Sequence, residues 1–163
     1  MRHTITVLVE NEFGVLSRIA GLFSGRGFNI DSLSVAPPNE ETISRMTIVT
    51  RGDEQILEQI TKQLNKLIDI IKVIDFTDGS AIEREMALVK VTAEDQSRAE
   101  VLRIVDIFRA KIIDVTPRSY TIEATGAPTK IDGIIELLRP LGLKEIVRTG
   151  PVAIGRGSKG WKG

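Results

Sequence analysis

Apolar and polar positions alternate at the start of the chain. Ile5, Val7 and Val9 alternate with Thr4, Thr6 and Leu8, which predicts a strand that is largely apolar on both faces. After a turn over 11–14, apolar residues recur at helical spacing until Gly25 and Gly27. Strands over about 28–36 and 43–51, a helix after Gly52-Asp53 and a strand over 70–76 follow. This order, β-α-β-β-α-β, is the ferredoxin-like arrangement.

The same order recurs after the polar segment 77–80, from about Met86 to Val147. The sequence therefore predicts an α+β protein of two ferredoxin-like βαββαβ units, each an antiparallel sheet with helices on one face. The expected domains are 1–77 and 82–155, with a flexible tail over 156–163. Strands that are apolar on both faces need a second covering layer, for which a second copy or a large partner is the simplest source.

Composition argues against several functions. The 163 residues carry 22 Lys+Arg, 22 Asp+Glu, one His and no Cys. A chain without Cys suits a reducing cytoplasm and excludes thiolate metal sites and Cys nucleophiles. Zero net charge with few aromatic residues argues against nucleic-acid binding, and no apolar run is long enough to span a membrane. The single His3 is expected on the surface of a strand, so we expect no catalytic residues and no metal site.

The first strand-to-helix connection is the richest candidate site. Asn11 lies where the strand ends, and Gly14 lies where the helix begins. The N–H groups of a helix N-terminus suit a carboxylate, Asn11 offers an acceptor for an ammonium, and Val15 and Leu16 supply an aliphatic wall. These features together suit an amino acid. From spacing alone, however, ordinary capping of the helix is the favoured interpretation.

Two further segments leave alternatives open. Gly27 has the position of a helix C-cap glycine, and Asn29 follows it as a polar strand edge or as a group facing a neighbouring subunit. The Gly-rich end of the chain is a frayed terminus or, because of Trp161, a docking tail.

Several motifs together resemble a known family. Asn11-x-x-Gly14-Val15-Leu16-x-Arg18, followed by Arg26-Gly27-Phe28-Asn29-Ile30, resembles the signature of the ACT domain, an amino-acid-sensing module. The segments 34–37, 44–48, 57–67, 89–91 and 108–117 resemble the regulatory small subunit of acetohydroxyacid synthase (acetolactate synthase). The second unit lacks the Asn-x-x-Gly turn, so we expect no effector site there.

The resemblance implies a non-catalytic regulatory subunit in the biosynthesis of valine, leucine and isoleucine. Its large catalytic partner would carry thiamine diphosphate, magnesium and FAD, with no cofactor in this chain. The family implies a homodimer through the ACT domain, activation of the partner, and feedback inhibition by valine, or by leucine or isoleucine. The implied effector-binding residues are Asn11, Gly14, Val15 and Leu16 of one subunit with Asn29 and Ile30 of the other.

Two alternatives to this function differ in class. A free-standing amino-acid-sensing ACT regulator could act on another enzyme, a transporter or transcription, but the second half shows no DNA-reading motif through which it would act. A small ferredoxin-like enzyme is disfavoured because a nucleophile with a nearby base is lacking.

Overall fold

A computed structural model describes residues 1–39, 41–158 and 160. The chain divides into two compact units. The first comprises Met1–Ile82 together with the chain from Val152 onward, and the second comprises Glu83–Pro151. The segment after Pro151 thus groups with the first unit, whereas the sequence placed residues up to 155 with the second.

The first unit is a four-stranded sheet with two helices. Its elements are β1 (Arg2–Glu10), α1 (Val15–Gly25), β2 (Ser32–Ala36), β3 (Ile43–Arg51), α2 (Glu54–Asn65) and β4 (Ile70–Asp75). The strand order is β2-β3-β1-β4 with antiparallel neighbours, so β1 and β2 run in the same direction on either side of β3. This topology confirms the ferredoxin-like prediction for the unit.

Alternate residues of the central strands form the core of the first unit. Ile5, Val7 and Val9 of β1 are fully buried, together with Met46 and Ile48 of β3. The helices cover this face with residues of α1 and α2: Val15, Ile19, Phe23, Ile60 and Leu64. The alternation that predicted β1 therefore sets the helix-facing side of the sheet.

The junction between α1 and β2 is a Schellman motif. The N–H of Phe28 donates to the carbonyl of Phe23 at 2.9 Å, and the N–H of Gly27 donates to that of Ser24 at 3.2 Å. The rings of Phe23 and Phe28 meet edge to face, and their centroids lie 6.2 Å apart. Because Phe28 closes the helix, β2 begins only at Ser32, and the prediction that it starts near Phe28 was wrong.

The face of the first sheet opposite the helices is also largely buried. Thr6, Leu8, Thr47 and Val49 are at most 3% exposed in the single chain. At this face Arg45 Nη2 donates to the carbonyl of Ala153 at 2.9 Å. These residues are therefore buried within the single chain, and the expectation that a second copy or a large partner covers the sheets stays a prediction.

The second unit repeats the architecture of the first. Its elements are β5 (Ala81–Thr92), α3 (Arg98–Ile107), β6 (Lys111–Val115), β7 (Ser119–Gly126), α4 (Pro128–Leu138), a 3₁₀ turn (Arg139–Leu141) and β8 (Leu143–Arg148). The strand order is β6-β7-β5-β8. The predicted α+β class with two units of this kind is confirmed. Strand β5 begins at Ala81 rather than Met86, so the boundary between the units falls inside it.

A short strand that the sequence did not predict follows the second unit. Strand β9 (Val152–Gly155) pairs with β5, and the N–H of Arg156 donates to the carbonyl of Ser80 at 2.9 Å. Ala153 packs with Ile74 and Phe76 in a small apolar cluster. Part of the Gly-rich end is therefore ordered against the first unit. Trp161, on which the docking-tail alternative rested, lies outside the described residues.

Candidate functional site

A cavity of about 260 Å³ lies between the connection from β1 to α1 and the end of β2. The lining residues come from these segments and from β3: Val9, Glu10, Asn11, Glu12, Val15, Leu16, Val35, Ala36, Pro37, Ser44 and Met46. Three predicted site residues, Asn11, Val15 and Leu16, thus share one cavity. We call it the loop pocket.

Gly14 begins helix α1 in a conformation that favours glycine. It occupies the N-cap position with φ +85°, and no side chain caps the helix there. The Val15 N–H donates to the Glu12 carbonyl at 3.4 Å, and the N–H groups of Leu16 and Ser17 follow it in the first turn without an intrahelical acceptor. They offer donors and a positive dipole end to an anion.

The side chain of Asn11 does not cap α1. Its Nδ2 donates to the carbonyl of Glu41 at 2.6 Å, and its backbone N–H donates to that of Thr42 at 2.8 Å. The capping interpretation, which spacing alone favoured, was therefore wrong for the Asn11 side chain, whereas Gly14 does occupy the N-cap position. Asn11 instead ties the loop to the start of β3, and its Oδ1 is the atom that could accept from a ligand ammonium.

The remaining wall of the loop pocket combines aliphatic side chains with two carboxylates. Val9, Val15 and Met46 are at most 3% exposed, so the apolar floor is part of the rigid core. Glu10 and Glu12 lie on the same lining. An amino acid matches this combination, because its ammonium complements carboxylates and its side chain complements aliphatic groups.

Arg18 also lies near the start of α1. It belongs to the ACT-like motif, but the sequence analysis assigned it no role. Its Nε donates to Asp69 Oδ2 at 2.8 Å, and its Nη2 lies 2.7 Å from the same oxygen. A Cβ added at Gly14 would lie 3.1 Å from Arg18 Nη1. The guanidinium therefore stands directly beside the start of α1, where its charge is paired with the Asp69 carboxylate.

Asn29 and Ile30 do not join the other predicted site residues within one chain. They precede the start of β2, whereas the loop pocket lies at its end, and a five-residue strand spans about 16 Å. The Asn29 side chain donates to Asp31, which pairs with Arg51 at 2.6 Å. Strand β2 is an edge strand that contacts only β3 in its sheet.

His3 lies in the interior rather than on the strand surface. It is 0% exposed, its Nε2 donates to the carbonyl of Gly52 at 2.8 Å, and its Nδ1 lies 3.1 Å from Thr77 Oγ1. The prediction of a surface histidine was wrong, because β4 and the chain that enters α2 close over the start of β1.

Two searches of the described part of the chain address metal ions and membranes. Among these residues, no three His, Asp or Glu side chains converge closely enough to hold a metal ion. None of their helices combines the length and apolar character that crossing a membrane requires.

Comparisons with known proteins agree with this architecture. A family model described as "AHAS small subunit-like ACT domain" matches residues 5–72, and one described as "Small subunit of acetolactate synthase" matches residues 84–157. The fold and the loop pocket thus define a regulatory protein of the ACT class. The chain belongs to the family of acetolactate synthase small subunits, and the sequence resemblance is confirmed.

Individual relatives extend over nearly the whole chain. The probable acetolactate synthase small subunit of Methanothermobacter thermautotrophicus is 52% identical over 96% of this chain and 94% of its own length. The small subunit of Aquifex aeolicus is 55% identical over 95% of this chain and 81% of its own length. The crystal structure of the Thermotoga maritima small subunit is 41% identical with a TM-score of 0.87, and the match covers 98% of this chain and 99% of that one.

Proposed function

We propose that this chain activates the thiamine-diphosphate-dependent catalytic subunit of acetolactate synthase and makes it sensitive to feedback inhibition by valine. The chain itself performs no chemistry and holds no cofactor. Thiamine diphosphate, magnesium and FAD belong to the catalytic partner, and the complex works in the cytoplasm. The observation that carries the effector assignment is the loop pocket, in which a helix N-terminus, an Asn amide and an aliphatic floor meet.

The effector site is completed by a second copy of the chain. Strand β2 is an edge strand, so two copies can pair through it around a two-fold axis. Such a pairing is antiparallel and places the start of β2 in one copy beside the end of β2 in the other. Asn29 and Ile30 of one copy then lie next to the loop pocket of its neighbour, which accounts for their separation within one chain.

The proposed site between the two copies matches each chemical group of valine. The carboxylate accepts from the N–H groups at the start of α1, beside Gly14 and the Arg18 guanidinium. The ammonium is bound by Asn11 Oδ1 and the carboxylates at the rim. The isopropyl group lies against Val15 and Met46.

Regulation follows from the position of the effector between two subunits. A ligand that contacts both copies favours the quaternary arrangement in which those contacts form. Valine therefore shifts the regulatory dimer away from the arrangement that activates the catalytic subunit, and the catalytic subunit weakens valine binding by the same factor.

Calorimetry of the full chain against valine, leucine and isoleucine tests the site, and titration of the chain into the purified catalytic subunit tests activation.

Gly14→Asp is the diagnostic variant, since Asp tolerates a positive φ and its charge repels the effector carboxylate. We expect loss of valine binding and of inhibition, with activation retained. Gly79→Asp is the control, because Gly79 has φ +80° with open space around it and lies outside the loop pocket. Full valine sensitivity in Gly14→Asp would contradict the site, and absence of activation by the unchanged chain would contradict the function.

A further inference from the structure

A second concave site lies at the start of β1, at the opposite end of the first sheet from the loop pocket. It has a volume of about 600 Å³. The lining comes from the start of β1, the first turns of α2 and the end of β4, and includes Met1, His3, Glu54, Leu57, Glu58 and Asp75. We call it the β1-start cleft. We propose that it binds an arginine or lysine side chain of the catalytic subunit, an inference that rests on the proposed function.

The internal repeat shows what such a cleft accommodates. The ladder between β1 and β4 has an irregularity between Leu8 and Val9, and the ladder between β5 and β8 has one between Lys90 and Val91. These irregularities align the two units strand by strand. Gly52 and Gly126 each stand one residue before the N-cap of the second helix of their unit, which aligns the helices.

Under this alignment, three lining residues of the β1-start cleft have counterparts in the second unit. His3 corresponds to Glu85 at the start of the central strand. Asp75 corresponds to Arg148, since Asp75 is the last residue of β4 and Arg148 is the last residue of β8, the strand in the equivalent position of the second unit. Glu58 of α2 corresponds to Asp132 of α4, since both are the fifth residue of their helix.

In the second unit an arginine fills this position. The guanidinium of Arg148 donates through Nε and Nη2 to Glu85 and through Nη1 to Asp132, the last at 2.8 Å. Partial burial acts to lower the pKa of Arg148, but hydrogen bonds and charge attraction from both carboxylates outweigh it and raise that pKa. The framework of this fold can therefore hold a guanidinium between a central-strand residue and the second helix.

In the first unit the corresponding strand end carries an aspartate, so the carboxylates lack this internal cation. Glu54, Glu58, Asp75 and Asp78 all line the cleft. The lining itself includes the amino-terminal residue Met1, and Lys62 Nζ lies 3.3 Å from Glu58 Oε1 on an exposed helix surface. The cleft therefore presents a predominantly negative surface to its ligand.

The lining of the cleft favours an organic cation. Among the described residues, no group of carboxylates is close enough to chelate a metal ion. Leu57 lies on the lining beside the carboxylates, and an arginine or lysine side chain has an aliphatic stem that covers such apolar surface while its charged head meets the acids. A side chain that projects from a protein surface meets both demands.

The β1-start cleft is connected through β3 to Asn29, which belongs to the part of the proposed effector site that the second copy supplies. The Thr50 hydroxyl donates to the carbonyl of Asn29, and Thr50 lies opposite His3 in the ladder between β1 and β3. A docking point at this end of the sheet therefore lies next to the strand end that carries Asn29, while it leaves the loop pocket free.

The test is binding of the purified catalytic subunit to the full-length chain, measured by titration at low and high salt. Glu54→Gln/Glu58→Gln removes two charges from exposed positions of α2. We expect about a tenfold loss of affinity at low salt, most of which disappears at high salt, with valine calorimetry unchanged. The control is Glu100→Gln/Glu136→Gln, which removes two helix acids of the second unit, the half-buried Glu100 and the exposed Glu136, each paired with a nearby arginine. It should bind normally.

A second variant fills the cleft from within. His3→Glu/Asp75→Arg reproduces the arrangement of the second unit and supplies an internal guanidinium to Glu58. With an unchanged melting temperature, it should bind the catalytic subunit at least as weakly as the double Gln variant.

The outcomes separate the two hypotheses. Normal binding by the double Gln variant contradicts the docking inference alone, whereas an unchanged chain that neither binds nor activates the catalytic subunit contradicts the proposed function as well. Agmatine, a small guanidinium compound, tests whether a free small molecule, rather than a side chain of the catalytic subunit, occupies the cleft. If agmatine binds the chain through Glu54 and Glu58 while these acids leave catalytic-subunit affinity unaffected, the cleft is a small-molecule site and the inference is overturned.

Discussion

At the scale of single residues, glycines with positive φ mark the ends of α1. Gly14 begins the helix at φ +85°, and Gly27 follows it at φ +69°. Gly21, by contrast, lies inside the helix, and an added Cβ there would meet nothing within 4 Å. The same residue type therefore stabilises the fold at the helix ends and weakens it in the middle.

This contrast predicts opposite effects for two alanine substitutions. Gly27→Ala should lower the free energy of unfolding by about 1–2 kcal/mol, because an L side chain is strained at this φ. Gly21→Ala should raise it by about 0.5–1 kcal/mol through the smaller entropy loss on folding. Urea unfolding followed by circular dichroism measures both, and a stabilising Gly27→Ala would contradict the Schellman assignment.

The buried charge of the second unit predicts a larger effect. The Glu85 side chain is 2% exposed and depends on Arg148 for its charged partner. Arg148→Met should therefore cost about 3 kcal/mol, because an uncompensated carboxylate remains in the interior. Adding Glu85→Leu should restore most of the loss.

Arg139→Met provides the matched control for the Arg148 substitution. Arg139 pairs with Glu136 at 3.2 Å on an exposed surface, so its removal should change stability by less than about 0.5 kcal/mol. Thermal melting compares the variants. Equal shifts of the melting temperature in the two arginine variants would show that the buried pair of Glu85 and Arg148 stabilises the fold no more than an exposed pair.

Local residue chemistry could be predicted from the sequence, but burial that arises from distant segments could not. The role of Gly27 follows from its position after an apolar period of 3.6, which is a local signal. His3 was assigned to the strand surface because its side chain is polar, although the alternation of β1 places it on the same face as Ile5 and Val7. Its burial depends on Gly52 and Thr77, which lie far away along the chain. Asn11 was misassigned for the same reason, because its partner Glu41 belongs to another segment.

At the scale of elements, periodicity identified the four α-helices and eight of the strands in the described residues, but it missed the 3₁₀ turn at Arg139–Leu141 and strand β9. A four-residue segment with apolar residues at Val152 and Ile154 offers too little alternation to distinguish a strand from a tail. In the structure the intervening residue, Ala153, is the buried one. Tertiary packing against Phe76 thus determines which face of β9 points inward.

Strand β9 yields a prediction with an adjacent control. Ala153→Glu should destabilise the first unit by about 2–3 kcal/mol, because Ala153 is 5% exposed and a charge would enter the cluster with Ile74 and Phe76. Ile154→Glu should be nearly neutral, since Ile154 is 60% exposed. If the two substitutions shift the melting temperature equally, β9 does not dock as described.

At the scale of the whole molecule, the predicted effector site is the feature that a single chain leaves incomplete. Asn11, Val15 and Leu16 share the loop pocket, whereas Asn29 and Ile30 lie at the opposite end of β2. Periodicity and spacing could locate both groups but could not predict whether a second copy joins them, because quaternary contacts leave no period in the sequence. The pairing of the two groups came from the family resemblance and stays a prediction.

Complementation between two defective chains tests whether each site uses both copies. Gly14→Asp damages the loop half of the proposed site, and Asn29→Ala damages the other half, so neither homodimer should bind valine. Random mixing makes about half of the dimers mixed, and each mixed dimer holds one intact and one doubly defective site. We therefore expect recovery of about a quarter of the wild-type binding sites, measured by calorimetry after unfolding and refolding the two chains together. A site built within one chain would give no recovery, because every copy would keep its own defect.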